Sequence, residues 1–201
     1  MGNWKRIRFE NQALTFLVLI GLLLAACGAY QYKGSQYPDP QPAPDFQLST
    51  ADGQSFQLSH QRGKVILMFF GYTSCPDVCP ITLAQAHQIL HALGSEADKV
   101  TFLFITVDPE RDTPAVLSSY VKAFDPAIVG LTGTPDELQA VYQAYGILVE
   151  KAPPEEGSAG GYSVTHTSRT FLVDTQGRLS LSYSYGTPVD DIVQDIRHLV
   201  S

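Results

Sequence analysis

Apolar and polar residues follow regular periods along most of the chain, and these periods predict its secondary structure. Strands are predicted where apolar residues alternate with polar ones or run without a break: 45–49, 54–59, 64–72, 100–108, 128–133, 168–174 and 177–185. Helices are predicted where apolar residues recur every three or four positions: 81–93, 114–124, 134–145 and 188–200. Because unbroken apolar strands precede helices and two pairs of strands read as hairpins, we expect an α/β fold with a mixed central sheet flanked by helices.

The N-terminal segment has the pattern of a targeting signal. Three basic residues precede an apolar run from Ala13 to Ala26, which is shorter than the roughly 20 residues of a membrane-spanning helix. The run ends in Leu24-Ala25-Ala26-Cys27-Gly28, which resembles the lipobox of bacterial lipoproteins, and this resemblance implies lipidation of Cys27. An uncleaved anchor helix is the alternative. Both interpretations put the rest of the chain at the outer, extracytoplasmic face of the bacterial cytoplasmic membrane.

Composition then limits the organisation and the function. We expect a signal peptide ending in the lipobox cysteine (1–27), a Pro-rich linker (28–44) and one globular domain (45–201). The net charge is −7 although the signal is basic, so the domain is acidic and nucleic-acid binding is not expected. Three cysteines are too few for a disulfide-rich scaffold, and with Cys27 in the lipobox two remain for chemistry.

Those two cysteines, in Cys75-Pro76-Asp77-Val78-Cys79-Pro80, lie where a buried strand gives way to a helix. Unpaired amides and the helix dipole at such a position stabilise thiolates, and a spacing of four residues puts both sulfurs on one side of the helix start. They could form a structural disulfide, exchange disulfides, or share a metal. Deprotonated sulfurs suit copper(I), and stable yet exchangeable binding would favour a third ligand.

Histidines are the candidates for that third ligand. His87 and His91 are four residues apart on the helix after Cys79, a spacing that fits a metal pair but equally fits an exposed helix face. His166 lies just before the predicted strand 168–174, at the end of the sheet where the cysteine turn is expected. From the sequence alone, a histidine that is simply hydrogen-bonded in a loop fits His166 equally well.

Three ordered motifs resemble the Sco (SenC-type) family of copper-binding, membrane-tethered assembly factors. They are CPDVCP (75–80), TVDPERDTP (106–114) and VTHTSRTFLVD (164–174), within a similarity that spans residues 43–200. The resemblance implies a thioredoxin-like fold with an N-terminal β-hairpin and an insertion before the last strand pair. It also implies that Cys75, Cys79 and His166 bind one copper ion per chain. The expected ion is copper(I), and binding of copper(II) is left open.

The same resemblance implies a function. Sco proteins help to assemble the binuclear copper site of cytochrome c oxidase subunit II, either by supplying copper or by keeping the receiving cysteines reduced. The expected partners are therefore that subunit, the membrane through the lipid anchor, and an upstream copper donor. Many members carry aspartate just before the metal histidine where this chain has Thr165, so tuning of the imidazole by a carboxylate is in doubt here.

Two other functions compete with copper carriage as explanations of the cysteine pair. A thiol–disulfide reductase would use Cys75 to attack and Cys79 to resolve, but residues 167–170 lack the cis-proline that such enzymes carry near their cysteines. A peroxidase resembling the peroxiredoxins would need a threonine where Pro76 stands.

The motif TVDPERDTP adds two acidic candidates. Asp108 and Asp112 could contact a partner or receive copper, with Arg111 pairing with either of them. As a structural alternative, Asp112 or Thr113 caps the helix that begins at Pro114.

Overall fold

An eight-stranded mixed sheet is the centre of the computed structural model, which describes residues 30–153 and 162–201. From one edge to the other its strands are β1 (Ser35–Gln36), β10 (Leu179–Tyr183), β9 (Thr170–Val173), β4 (Val65–Gly71), β5 (Val100–Thr106), β6 (Val129–Thr132), β2 (Gln47–Thr50) and β3 (Ser55–Gln57). β4, β5 and β6 are parallel, whereas β9 is antiparallel to β4. The predicted mixed α/β class and both predicted hairpins, β2–β3 and β9–β10, are confirmed.

Helices cover the sheet and begin at recognisable caps. They are α1 (Val78–Leu93), α2 (Pro114–Phe124), α3 (Pro135–Tyr145) and α4 (Val189–Val200). Thr113 and Thr134 cap α2 and α3, and a reciprocal bond from Glu137 completes the cap of α3. α1 begins three residues before the predicted start at 81, so Cys79 lies inside its first turn.

The insertion before the last strand pair is a separate two-stranded ribbon. β7 (Val149–Ala152) pairs with β8 (Ser163–His166), and His166 lies opposite Val149. The sequence predicted the insertion but not its strands, because β7 has three exposed residues and shows little alternation. The ribbon ends at His166, four residues before β9 enters the main sheet.

Most of the predicted linker lies on the domain. The Lys33 and Gly34 amides donate to the carboxylate of Asp195, and β1 pairs with the outer edge of β10. Farther along, the Ala43 amide donates to the Gly177 carbonyl at 2.9 Å. From Lys33 on, the predicted linker therefore bonds to the domain through amides that lie before the prolines and through the Ala43 amide between two of them.

The predicted signal segment, including Cys27, lies outside the described residues. Within residues 30–153 and 162–201, no helix is long and apolar enough to cross a membrane.

Candidate metal centre

The two cysteines lie at the carboxyl end of the central strand β4. Gly71 ends this strand, Cys75 lies in the turn that follows, and Cys79 lies in the first turn of α1. A Cβ atom on Gly71 would lie 2.9 Å from Cys79 Sγ and equally close to two phenylalanine rings. Only glycine therefore lets the Cys79 sulfur pack this closely against the strand.

His166 approaches the two sulfurs from the ribbon. Its imidazole and the two Sγ atoms provide three ligand atoms that all lie within 4.8 Å of one another, and Cys79 Sγ is 3.6 Å from His166 Nε2. Cys79 is fully buried and Cys75 is 9% exposed, whereas His166 is half-buried. Both cysteines are free thiols. The structure thus brings together the three residues that the sequence analysis selected, in a donor set that fits copper(I).

A hydrogen bond determines which nitrogen of His166 is available. Nδ1 lies 3.1 Å from the backbone carbonyl of Thr167, which can only accept, so Nδ1 carries a proton. In the neutral ring, Nε2 then holds the lone pair and faces the sulfurs. A backbone carbonyl fixing the tautomer in this way is typical of metal-binding histidines.

The two thiols differ strongly in acidity. A hydrogen bond from the Cys79 thiol, although opposed by burial, lowers the pKa of Cys75 to about 4. His166 and backbone amides at the start of α1 contribute to the same effect. The neighbouring Cys75 thiolate and burial together raise the pKa of Cys79 above its ordinary value. At neutral pH the pair therefore holds one negative charge, on Cys75, and one proton, on Cys79.

Aromatic side chains surround the imidazole. The rings of Phe69 and Tyr72 meet His166 edge-on, with centroids 5.9 and 5.8 Å from the imidazole centroid. Both residues are buried, so one side of the ligand group is apolar. A metal ion held by this group would be shielded from water on that side.

Asp112 is buried beneath the cysteine turn. Its carboxylate accepts hydrogen bonds from the Thr73 amide (3.1 and 3.2 Å), the Thr73 hydroxyl (2.6 Å) and the Thr106 hydroxyl (2.6 Å). Burial raises the pKa of Asp112, although these hydrogen bonds oppose the shift. Thr113, not Asp112, caps α2. Asp112 instead holds the turn that carries Cys75, and burial keeps its carboxylate away from a docking partner.

Asp108 is also buried, which does not fit the predicted role at a partner surface. It accepts hydrogen bonds from Arg111 Nε and, at 2.6 Å, from the Tyr162 hydroxyl. The predicted pairing of Arg111 with one of the two aspartates is thereby confirmed for Asp108. Both carboxylates brace the loops around the ligand group.

The helical pair His87 and His91 lies apart from this centre. Its rings are 6.1 Å apart, and His87 Nδ1 lies 2.8 Å from Asp125. In the described part of the chain, the group formed by Cys75, Cys79 and His166 is the one set of three metal-type ligands close enough to share an ion.

Several residues that shape the site are not predicted by the sequence pattern. Gly71, Tyr72 and Thr73 join the buried strand to the cysteine turn, and their contacts depend on side chains distant in sequence. Tyr162 had a local signal: it lies at an even spacing from Val164 and His166, so all three share one side of an extended chain.

Comparisons with known proteins agree with this geometry. The sequence model of the SCO1/SenC family matches residues 35–201. SCO1 of Saccharomyces cerevisiae, a mitochondrial protein, is 35% identical over 82% of this chain and 57% of its own length. The structure of ScoI from Bradyrhizobium japonicum with copper bound is 37% identical, with a TM-score of 0.72 over 79% of this chain and 99% of that one.

A SCO1/SenC family lipoprotein from Bacillus anthracis is 28% identical, with a TM-score of 0.69 over 82% of this chain and 99% of that one. The shared architecture confirms the thioredoxin-like fold expected from the sequence. Because the family match covers most of the chain and includes all three ligand candidates, the chain belongs to the SCO1/SenC family.

Proposed function

We propose that this chain is a copper carrier that binds one copper ion through Cys75 Sγ, Cys79 Sγ and His166 Nε2. The observation that carries the proposal is the grouping of these three atoms within 4.8 Å of one another. Two sulfurs and one imidazole nitrogen form a soft donor set that favours copper(I) over the harder divalent ions.

The protonation pattern explains how copper would enter. The Cys75 thiolate is available at neutral pH and would bind first, because its pKa is about 4. The Cys79 thiol then loses its proton as its sulfur binds the ion, and the lone pair of His166 Nε2 completes the set. Loading therefore releases about one proton per copper from the thiol pair.

The exposure of the ligands supports release to a partner. A bound copper ion would be reached mainly from the side of half-buried His166, since Cys75 is only 9% exposed and Cys79 is fully buried. Two large apolar side chains near these ligands, in the sequence or through hydrogen bonds to a neighbouring residue, are exposed: Ile81, two residues after Cys79, is 49% exposed, and Leu148, which exchanges hydrogen bonds with Thr167, is 55% exposed.

Family membership and the N-terminal sequence support a proposal for the partner and the location. We propose that the receiver is the binuclear copper site of cytochrome c oxidase subunit II, with an upstream copper donor supplying the ion. We also propose that lipidated Cys27 tethers the chain to the outer face of the cytoplasmic membrane. The lipobox pattern and the similarity to a lipoprotein of the family support this tether. Mass spectrometry of the mature N-terminus tests it, because Cys27→Ser should abolish the lipid adduct.

A copper(I) competition titration of the reduced protein tests the copper proposal. We expect tight one-to-one binding that weakens by at least about 100-fold in His166→Ala, since loss of even an outer-shell partner costs 10–100-fold. His87→Ala is the matched control, because it removes an exposed imidazole outside the ligand group. Equal affinities for the wild type and His166→Ala would contradict the ligand assignment.

The asymmetry of the thiols favours a second function, thiol–disulfide reduction. The Cys75 thiolate would attack a target disulfide, forming a mixed disulfide and releasing one target thiolate. Cys79, once deprotonated, would attack Cys75 Sγ, which forms an internal disulfide and releases the second target thiol. The target gains two electrons, the chain loses two, and an external thiol must reduce the chain again. Weak copper binding combined with rapid reduction of a disulfide peptide would put this function first.

A further inference from the structure

Arg111 contacts the rings of two tyrosines beside the ligand group. Its guanidinium carbon lies 3.9 Å from the centroid of the Tyr162 ring and 5.5 Å from that of Tyr72. One terminal nitrogen donates to the Tyr162 carbonyl at 2.9 Å. The other, Nη2, is buried with no hydrogen-bond acceptor in the described ranges, and the tyrosine rings provide cation–π contacts to the guanidinium.

A buried carboxylate fixes this guanidinium in place. Asp108 is fully buried and accepts from Arg111 Nε and from the Tyr162 hydroxyl. One carboxylate thereby binds both the cation and the ring that the cation stacks on. We name these four residues, Tyr72, Asp108, Arg111 and Tyr162, the Arg111 cluster.

The cluster reaches His166 by two routes. The Tyr72 ring meets the imidazole edge-on at 5.8 Å. Tyr162 immediately precedes β8, the strand that ends at His166. The other strand of the ribbon is fastened as well, because Lys151 of β7 pairs with Glu110 at 2.9 Å and lies 5.0 Å from the Tyr162 ring.

The ribbon needs such attachments because it forms a sheet of its own. β7 and β8 pair with each other, and among the described residues neither is a member of the eight-stranded sheet that carries the cysteines. Side-chain contacts therefore act together with the short connection from His166 to β9 in setting where His166 lies relative to the two sulfurs.

We propose that Arg111 is a positioning residue that holds His166 over the cysteines and thereby controls how slowly copper is released. The inference rests on the proposed copper binding and deepens it. Without Arg111 both sulfur ligands remain, so copper(I) still binds between two thiolates. His166, however, occupies its place for a smaller fraction of the time, and copper leaves sooner.

The test compares Arg111→Lys and Tyr162→Phe with the wild type. Lysine keeps the charge but has no planar face to stack on Tyr162, and phenylalanine keeps the ring but loses the hydroxyl bond to Asp108. Arg178→Lys is the matched control, since Arg178 pairs with buried Asp174 at the opposite end of the sheet. The readout is the rate at which excess chelator captures copper(I) from the loaded full-length protein.

We expect release to be about tenfold faster in Arg111→Lys, the lower end of the range for outer-shell partners of metal ligands, and less accelerated in Tyr162→Phe. Arg178→Lys should release copper at the wild-type rate. In a His166→Ala background, Arg111→Lys should have no further effect, because its target is gone. An unchanged rate in Arg111→Lys, or an equal acceleration in the His166→Ala background, would overturn the inference.

Amide hydrogen exchange of the copper-free protein separates this inference from the copper proposal. We expect the amides of residues 163–166 to exchange faster in Arg111→Lys and Tyr162→Phe, with exchange in β4 and β5 unchanged. If the wild type binds no copper, the proposed function fails, and exchange alone then decides whether Arg111 holds the ribbon. Unchanged exchange in both variants would overturn the inference by itself.

Discussion

Replacing Asp112 by alanine removes the acceptor for three hydrogen-bond donors beneath the cysteine turn. The Thr106 hydroxyl is fully buried, and losing its acceptor costs about 1–3 kcal/mol. The Thr73 amide and hydroxyl are half-buried and can partly rebond to water, which adds about 1 kcal/mol. Alanine also removes the cost of burying a carboxylate, which is the cause of the raised Asp112 pKa, and this gain offsets part of the lost hydrogen-bond energy. The two costs sum to about 2–4 kcal/mol, and after this offset the net loss of unfolding free energy is about 1.5–3 kcal/mol.

Urea unfolding at pH 7, followed by circular dichroism, measures this loss. Asp112→Asn is the matched control, because its amide keeps the shape and one acceptor oxygen, so its loss should be about 1 kcal/mol. Asp112→Ala should also weaken copper(I) binding, since the turn that carries Cys75 loses its anchor. An Asp112→Ala protein within about 0.5 kcal/mol of the wild type, or as destabilised as Asp112→Asn, would refute this reasoning.

Three further predictions concern the sheet and the thiols. Asp174 is buried, which alone would raise its pKa, but hydrogen bonds from Arg178 and Ser180 lower it. The Asp174 carboxylate therefore contributes its full stabilisation above the ordinary carboxyl pKa near 3.8. This stabilisation is lost as the pH falls through the lower pKa that Asp174 has in the folded protein. Acid titrations should therefore show a smaller loss of stability below pH 4 in Asp174→Asn than in the wild type. Gly71→Ala should lower the free energy of unfolding, measured in urea, by about 1–3 kcal/mol and should bind copper(I) less tightly, because the added Cβ displaces Cys79 Sγ. A wild-type free energy of unfolding together with a wild-type copper(I) affinity would contradict the close approach of Cys79 to Gly71. In the wild type, the rate at which iodoacetamide alkylates Cys75 should be nearly independent of pH between about 5 and 8. Cys79→Ala removes the hydrogen bond that is the largest cause of the lowered Cys75 pKa, so alkylation in this variant should slow markedly toward pH 5.

The central strands and the two cysteine ligands were predictable because their signals are local. β4 is an unbroken apolar run, β5 is apolar except for its two threonines, and the two cysteines are four residues apart at a strand-to-helix junction. His166 was harder to assign from its own surroundings, and the family resemblance selected it.

What the sequence could not predict depends on contacts between distant residues. Asp112 holds Thr73 across 39 positions, and Tyr162 meets Asp108 across 54. The attachment of Lys33 and Gly34 to Asp195 spans more than 160 positions, so the Pro-rich segment read as a free linker. The pattern of apolar and polar residues predicts whether a segment is a helix or a strand. It does not predict which distant residue will form hydrogen bonds with the buried polar groups of that segment.

The claim that two thiolates and one imidazole hold a single copper ion is tested most directly by titrating the reduced protein with copper(I) against a chelator. The wild type should bind one equivalent tightly, and X-ray absorption of the loaded protein should show two sulfur ligands and one nitrogen ligand. His166→Ala should keep the two sulfurs, lose the nitrogen and bind at least about 100-fold more weakly. A wild-type spectrum without the imidazole nitrogen, or equal affinities for the two proteins, would contradict the account.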